Sequence, residues 1–402
     1  MASLPPTGSN WAPLAVTLAI QALVSMALLV LPVMAPVAAP ALGVSPASVG
    51  FYVAIAYLGA ILASLASGTA VARFGAIRVS QAGLVLCAAG LALCAVPALP
   101  ATVAGAVLIG LGYGPITPAS SHLLARTTPA HRLSLVFSVK QTGVPVGGVL
   151  AGAIVPSLLL LAGWQGALLA TAAANLLCAA LAQPLRAALD ADRDPGRPLR
   201  LGNLAQPIKL VLGVPALRML AVCSFVFSIA QLSLTTYTVT YLTATLSYGL
   251  VAAGLALSLS QFGGVAGRIA WGYVSDRWLG ARRALVLLAL LMAGAAIATA
   301  LLHPAMPRWL VLGILVVFGA SAIGWNGVYL AEVARQAPAG LASVATGGTL
   351  AITFFGVVLG PPLFGALASL SGSYRAGFAA LALPTLLCAL ALLRGQHLVA
   401  TK

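Results

Sequence analysis

Acidic residues are nearly missing from this chain: its 402 residues include five Asp or Glu, against 20 Lys or Arg. Paired-carboxylate catalysis therefore has almost nothing to draw on. Histidine is as scarce, with four copies, and no Cys/His cluster has metal-ligand spacing, so no metal and no other cofactor is expected. There is no Gly-x-x-x-x-Gly-Lys loop to cradle a nucleotide phosphate, which argues against ATP-driven work. The five cysteines (Cys87, Cys94, Cys178, Cys223, Cys388) all fall in apolar runs and read as packing residues, not a disulfide framework. The opening MASLPPTGSN has no basic segment, so no cleavable signal peptide is expected.

Charge of either sign is also rare, at 6%, while 61% of residues are hydrophobic and the mean hydropathy is +1.08. A water-soluble domain of this length would lack polar cover. Apolar runs of about 20 residues recur, each able to cross a hydrocarbon core of about 30 Å. The chain reads as an all-α membrane protein in a lipid bilayer. A net charge of +15 would suggest nucleic acid in a soluble protein. Here the basic residues gather in alternate connections, which is a topology signal, and no nucleic-acid partner is expected.

Twelve spans are predicted, at 12–36, 48–70, 79–98, 101–124, 133–160, 164–185, 216–242, 249–272, 283–302, 308–331, 342–368 and 376–394. With the N-terminus inside, the cytoplasmic segments hold Arg73, Arg78, Arg126, Arg132, Arg186, Arg193, Arg197, Arg200, Lys209, Arg218, Arg277, Arg282, Arg283, Arg335, Arg394 and Lys402. The external loops hold only Arg308 and Arg375. That bias places the chain in a cell inner membrane with both termini cytoplasmic. The longest polar stretch follows span six and carries Asp190, Asp192 and Asp194. It divides the chain into a six-helix bundle at 1–185, a cytoplasmic linker at 186–215 and a second six-helix bundle at 216–402. Gly68–Arg73 after span two echoes Gly272–Arg277 after span eight, about 204 residues on. Arg126–Pro129 before span five echoes Arg335–Pro338 before span eleven, about 209 residues on. Two similar halves in one membrane chain mark a secondary transporter.

Over its whole length the sequence resembles the major facilitator superfamily, through the twelve spans, the central loop and the Gly-x-x-x-Asp-Arg motif. The second copy of that motif, with Gly272, Asp276 and Arg277, matches well. The first, with Gly68 and Arg73, has Ala72 where the acid belongs. The resemblance implies two pseudo-symmetric six-helix bundles working as a monomer, with spans one, four, seven and ten lining a central cavity. It also implies a gating role for Gly68, Arg73, Gly272, Asp276 and Arg277. Gly267-Arg268-x-x-x-Gly272-x-x-x-Asp276-Arg277 is further similar to span eight of the monocarboxylate and oxalate/formate transporter families, where the matching arginine engages a carboxylate.

Lys140 and Arg268 are the two basic residues inside spans. A charge there costs about 2.5–3.5 kcal/mol even on lenient insertion scales and normally faces a functional cavity. Lys140 lies eight residues after Arg132, and Arg268 eight before Asp276. Each is thus about 12 Å from its helix end, at one depth. The spans contain no acid to neutralise them, so the negative partner is the substrate, gripped by the Arg fork and the Lys point charge. The bland alternatives are snorkelling of either chain and an Arg268–Asp276 pair two turns apart. Gln261 shares a helical face with Arg268, and Gln141 adjoins Lys140 in a Gly- and Pro-rich stretch. Tyr113 in span four and Trp325 and Asn326 in span ten sit in matching irregular segments, a pointer to a binding site. Gln21 and Gln231 are polar at mid-span in spans one and seven.

The expected activity is secondary transport of a small organic anion, a mono- or dicarboxylate, alone or with H+ or a counter-anion, and not enzymatic. Efflux of apolar or cationic compounds is the alternative, and would call for a membrane-embedded acid. A non-transporting sensor on the same scaffold would not need the cation pair.

Overall fold

The computed structural model describes residues 11–129, 133–199, 205–338 and 341–394. His131, Arg132, Arg200, His397 and Lys402 lie outside them. All regular structure among the described residues is helical. Span one is Ala12–Ala41, span two Val49–Phe74 and span three Ala76–Cys94. Span four comes in two pieces, Leu99–Tyr113 and Ile116–Thr127. Span five begins with Leu133–Gln141 and restarts at Gly143 in a helical run that continues to Ala182.

That 40-residue run would be about 60 Å long if straight, twice the hydrocarbon core. It turns at Gly163, whose φ of 72° suits a residue without a side chain, and so makes spans five and six. The sequence places the boundary at the same point. Span six ends beside the start of span three, where Gln81 donates to the Ala179 carbonyl and to Gln183 Oε1, both at 2.9 Å. The second half repeats the plan. Span seven is Pro215–Leu246, span eight Leu250–Val274, span nine Ala281–Ala300, span ten Arg308–Ala322 plus Asn326–Gln336, span eleven Ala342–Ser371 and span twelve Tyr374–Arg394.

The repeat extends to single atoms. A Cβ on Gly110 of span four would lie 1.9 Å from the Ala56 carbonyl of span two, and one on Gly319 of span ten 1.9 Å from the Ser260 carbonyl of span eight. The partners are offset by about 209 and about 204 residues, the spacings seen in the sequence. Gly59 against Val107 and Gly263 against Val316 follow the same rule. Helices approach this closely only where both surfaces are small, the usual basis of packing in lipid.

The linker fastens to the first half at the arginine-rich face. Asp190 is 3% exposed and accepts from the backbone N–H groups of Ile77, at 2.8 Å, and Arg78, at 3.0 Å, capping span three. Gly75, at φ 94°, makes room, since a Cβ there would meet the Asp190 carboxyl. Asp192 pairs with His122, at 2.7 Å, and with Arg126, which also donates to the Leu189 carbonyl. Burial pushes the Asp192 carboxyl up, but the His122 hydrogen bond and the Arg126 charge outweigh it and hold it below its ordinary value. The Asp194 N–H donates to the Ala72 carbonyl at 2.8 Å, and Arg73 Nη1 to the Arg197 carbonyl at 3.4 Å. Downstream, the short helix Ala205–Gly213 packs on span eleven, with Gly348 admitting the Pro207 carbonyl. Replacing Asp190 with alanine removes the cap and orphans buried amides. It should cost about 1–2 kcal/mol, read as an earlier midpoint in denaturant unfolding in detergent; an unchanged midpoint would mean the cap is idle.

A candidate substrate site at the seam between the halves

Spans five and eight meet along the seam. Gly152 and Gly254 each pack on the other's carbonyl at 2.4 Å from an added Cβ, and Ser258 Oγ donates to the Val149 carbonyl at 2.8 Å. Deeper in this seam lies Arg268. Its Nη1 donates to the Gln141 carbonyl at 2.5 Å and its Nε to the Ile323 carbonyl at 3.1 Å. Both acceptors are freed by the local sequence. The ordinary helical donor to the Gln141 carbonyl is the residue four ahead, Pro145, which has no N–H. Ile323 lies in the gap between the two helices of span ten, whose second segment starts at Asn326. One guanidinium therefore ties a backbone break in the first half to another in the second.

Lys140 is completely buried one residue before Gln141, and its Nζ has no hydrogen-bond partner among the described residues. Arg268 holds the carbonyl of the adjacent residue, Gln141, so the two cations share this part of the seam. No carboxylate among the described residues answers them. Asp190, Asp192 and Asp194 are in the linker, and Glu332 holds Gln336 and Arg335 at the arginine-rich end of span ten. Asp276 is exposed in the single-turn π-helix Ser275–Leu279 after span eight, its carboxylate without a hydrogen bond or ion pair among the described residues. Arg277 beside it is exposed as well. Arg268 thus turns to the seam and not to Asp276. In the first motif copy, Gly68 has open space around it while Arg73 reaches the linker.

Next to the cation pair is a cavity of about 30 Å³ lined by Ser25, Tyr57, Tyr113, Gln231, Thr235 and Gln261, with Leu28, Leu29, Leu232 and Ile323 among its apolar walls. Two pairs of its polar residues are related by the repeat, Ser25 with Thr235 and Tyr57 with Gln261, and Gln21, outside the lining, corresponds to Gln231. Gln21 donates to Ser25 Oγ at 3.4 Å and accepts from Thr117 of span four at 3.1 Å. Gln231 accepts from Trp325 Nε1 of span ten at 3.0 Å, and Gln261 donates to Thr235 at 3.5 Å. Trp325 is buried behind the lining against Phe227 and Tyr329, while Asn326 is half-buried at the start of the lower helix of span ten. Gln141 is half-buried and reaches Arg268 through its main chain. Tyr113 meets Tyr57 edge-on, with ring centroids 5.8 Å apart.

Ser25, Tyr57, Thr117 and Thr235 were not singled out from the sequence. Ser25 and Thr235 each lie four residues after a mid-span glutamine, so the i, i+4 rule would have found them. Tyr57 carries no such signal.

Two pseudo-symmetric six-helix bundles meeting around a small cavity of mixed polar and apolar lining have the architecture of a membrane transporter. The family model of the Major Facilitator Superfamily matches residues 15–352, and the chain belongs to that family. Among solved structures it is similar to a bacterial homolog of the human lysosomal transporter Spinster, in an inward-facing and occupied conformation. The identity is 14%, the TM-score 0.76, with 97% of this chain and 98% of that one covered. It is also similar to a D-xylose–proton symporter at 16% identity and TM-score 0.71, covering 94% and 96%. A peptide transporter in complex with sulfate follows at 16% and TM-score 0.74, covering 98% and 96%. At such identities the likeness is one of fold. No curated protein sequence matches significantly.

Proposed function

We propose that this protein moves a small organic anion, a mono- or dicarboxylate, across a bacterial-type inner membrane by alternating access, with Lys140 and Arg268 recognising the anion. The arginine-rich face is the cytoplasmic one in this reading, both termini lie there, and the protein works as a monomer. The observation that carries it is Lys140, fully buried beside a second cation with no acceptor of its own. An isolated buried charge is expensive, and a carboxylate arriving between Lys140 and Arg268 supplies the missing counter-charge. With Nε and Nη1 on backbone carbonyls, Arg268 still has Nη2 to offer the anion, and Lys140 adds a point charge. Gln21, Gln231, Gln261, Tyr113, Trp325 and Asn326 would then surround the body of the substrate, with Gly272, Asp276 and Arg277 serving the gate. The cargo moves alone or with a proton or a counter-anion.

Efflux of apolar or cationic compounds is favoured by one observation, the Leu28, Leu29, Leu232 and Ile323 walls of the cavity. It lacks the membrane-embedded acid that cationic cargo requires.

A thermal-shift screen of the purified protein against small carboxylates, inorganic anions and lipophilic cations separates the two. An anion at 100 times its Kd stabilises by about 2.7 kcal/mol, a rise of a few degrees in Tm. Lys140→Met should abolish that rise. A screen in which only lipophilic cations raise Tm would sink the anion reading and install the efflux one.

A further inference from the structure

At the arginine-poor face the two halves are held together by a second device, built around Tyr237 of span seven. Its ring is completely buried, stacked on Phe364 of span eleven at 4.5 Å between centroids and 18° between planes. Its single hydroxyl proton is shared, in a three-centre bond, by two carbonyl oxygens that each lie 2.8 Å from the phenol oxygen. One belongs to Pro361 of span eleven, in its own half. The other belongs to Ala47, in the turn Pro46–Ser48 that joins spans one and two of the opposite half.

Two glycines frame the hydroxyl. A Cβ on Gly50 of span two would lie 2.4 Å from the Tyr237 oxygen and 2.4 Å from the Pro361 carbonyl. One on Gly365 of span eleven would lie 2.4 Å from the Tyr237 oxygen and 2.4 Å from the Ala47 carbonyl. The crossing of spans two and eleven thus leaves a notch of phenol-oxygen size. By the internal repeat, Gly50 and Pro361 correspond to Gly254 and Gly152, about 204 and about 209 residues away, which form the crossing of spans five and eight. That crossing closes glycine on carbonyl, with no tyrosine between. The notch at Gly50 and Gly365 is an addition to the symmetric plan and not a product of it.

We propose that Tyr237 is a positioning residue for alternating access: its hydroxyl latches the arginine-poor side shut by bridging the Ala47 and Pro361 carbonyls through the Gly50/Gly365 notch. Opening that side pulls span two away from span eleven and takes the Ala47 carbonyl out of reach. The latch acts only in the state closed at this face, so it biases the conformational equilibrium without touching the cargo. It is independent of what the cargo is.

The test measures the conformational equilibrium itself. Spin labels at Ser45→Cys and Leu370→Cys report separation of the halves at the arginine-poor face, and a second pair at Thr127→Cys and Arg335→Cys reports the other face. Both pairs are placed in a chain whose native cysteines are replaced. Tyr237→Phe keeps the stacked ring and removes only the hydroxyl. Its open-to-closed ratio at the arginine-poor face should rise about fivefold, equivalent to about 1 kcal/mol at 1.36 kcal/mol per tenfold, while the opposite pair moves closer. A Tyr237→Phe protein that remains monodisperse, whether or not its Tm falls, with both distance distributions unchanged would overturn the proposal and leave Tyr237 as packing.

Discussion

Replacing Arg268 with alanine should lower uptake into proteoliposomes at least about 100-fold and remove any anion-induced rise in Tm. Two charge-assisted hydrogen bonds, each worth about 1.5–3 kcal/mol, tie it to the Gln141 and Ile323 carbonyls. Their combined loss corresponds to two or more powers of ten at 1.36 kcal/mol per tenfold. The alanine variant also leaves those carbonyls without donors and takes away half of the positive charge in the membrane core. Arg268→Lys is the informative companion. It keeps the charge but cannot span two acceptors with a rigid fork, so uptake should fall to an intermediate level, about tenfold below the native rate. Native-like transport by Arg268→Ala would mean that the seam bond is incidental and the anion is recognised elsewhere.

The largest structural effect belongs to the crossings of spans eight and ten and of spans two and four. Gly319→Ala and Gly110→Ala each force a methyl group to within 1.9 Å of a helix-backbone carbonyl, which cannot swing aside as a side-chain tip could. The helices must part along their length. Overpacking of this kind costs about 1–3 kcal/mol or more, and the loss extends to every contact along the interface. Both variants should therefore show a sharply lower Tm and a several-fold drop in monodisperse yield on size-exclusion chromatography. Gly294→Ala is the control. It lies in span nine with nothing within 4 Å of an added Cβ, and it trades a poor helix former for the best one. It should behave like the native protein or slightly better, and equal losses in all three variants would refute the close-packing account.

How much of this was legible beforehand differs from residue to residue. The spans were, because a 30 Å hydrocarbon layer leaves a length signal in any sequence that crosses it. The halves were too, since the repeat survives as motif spacing. Lys140 and Arg268 stood out as charges in apolar runs, and their shared depth followed from counting residues. The acceptors of Arg268 were harder to see. Pro145 sits four residues after Gln141 and announces a free carbonyl there, but nothing local says which distant donor will take it. The cap on span three was beyond reach: Asp190 and Ile77 are 113 residues apart, and the contact depends on how the linker folds back. Tyr237 was hidden for a related reason, because its meaning lies in two glycines on other helices. Tertiary partners of this sort leave no periodic trace in one sequence.

The linker's attachments also set a limit on how wide the transporter can gape. Its early part is stapled to the first half as far as Arg197, while the helix that begins at Ala205 rides on span eleven of the second. Between those anchors the chain has eight peptide steps, and a fully extended backbone covers at most about 3.6 Å per step. While both attachments hold, the two anchor points therefore stand no more than roughly 29 Å apart. The linker is in this sense a leash, joining the first half to span eleven of the second at the arginine-rich face.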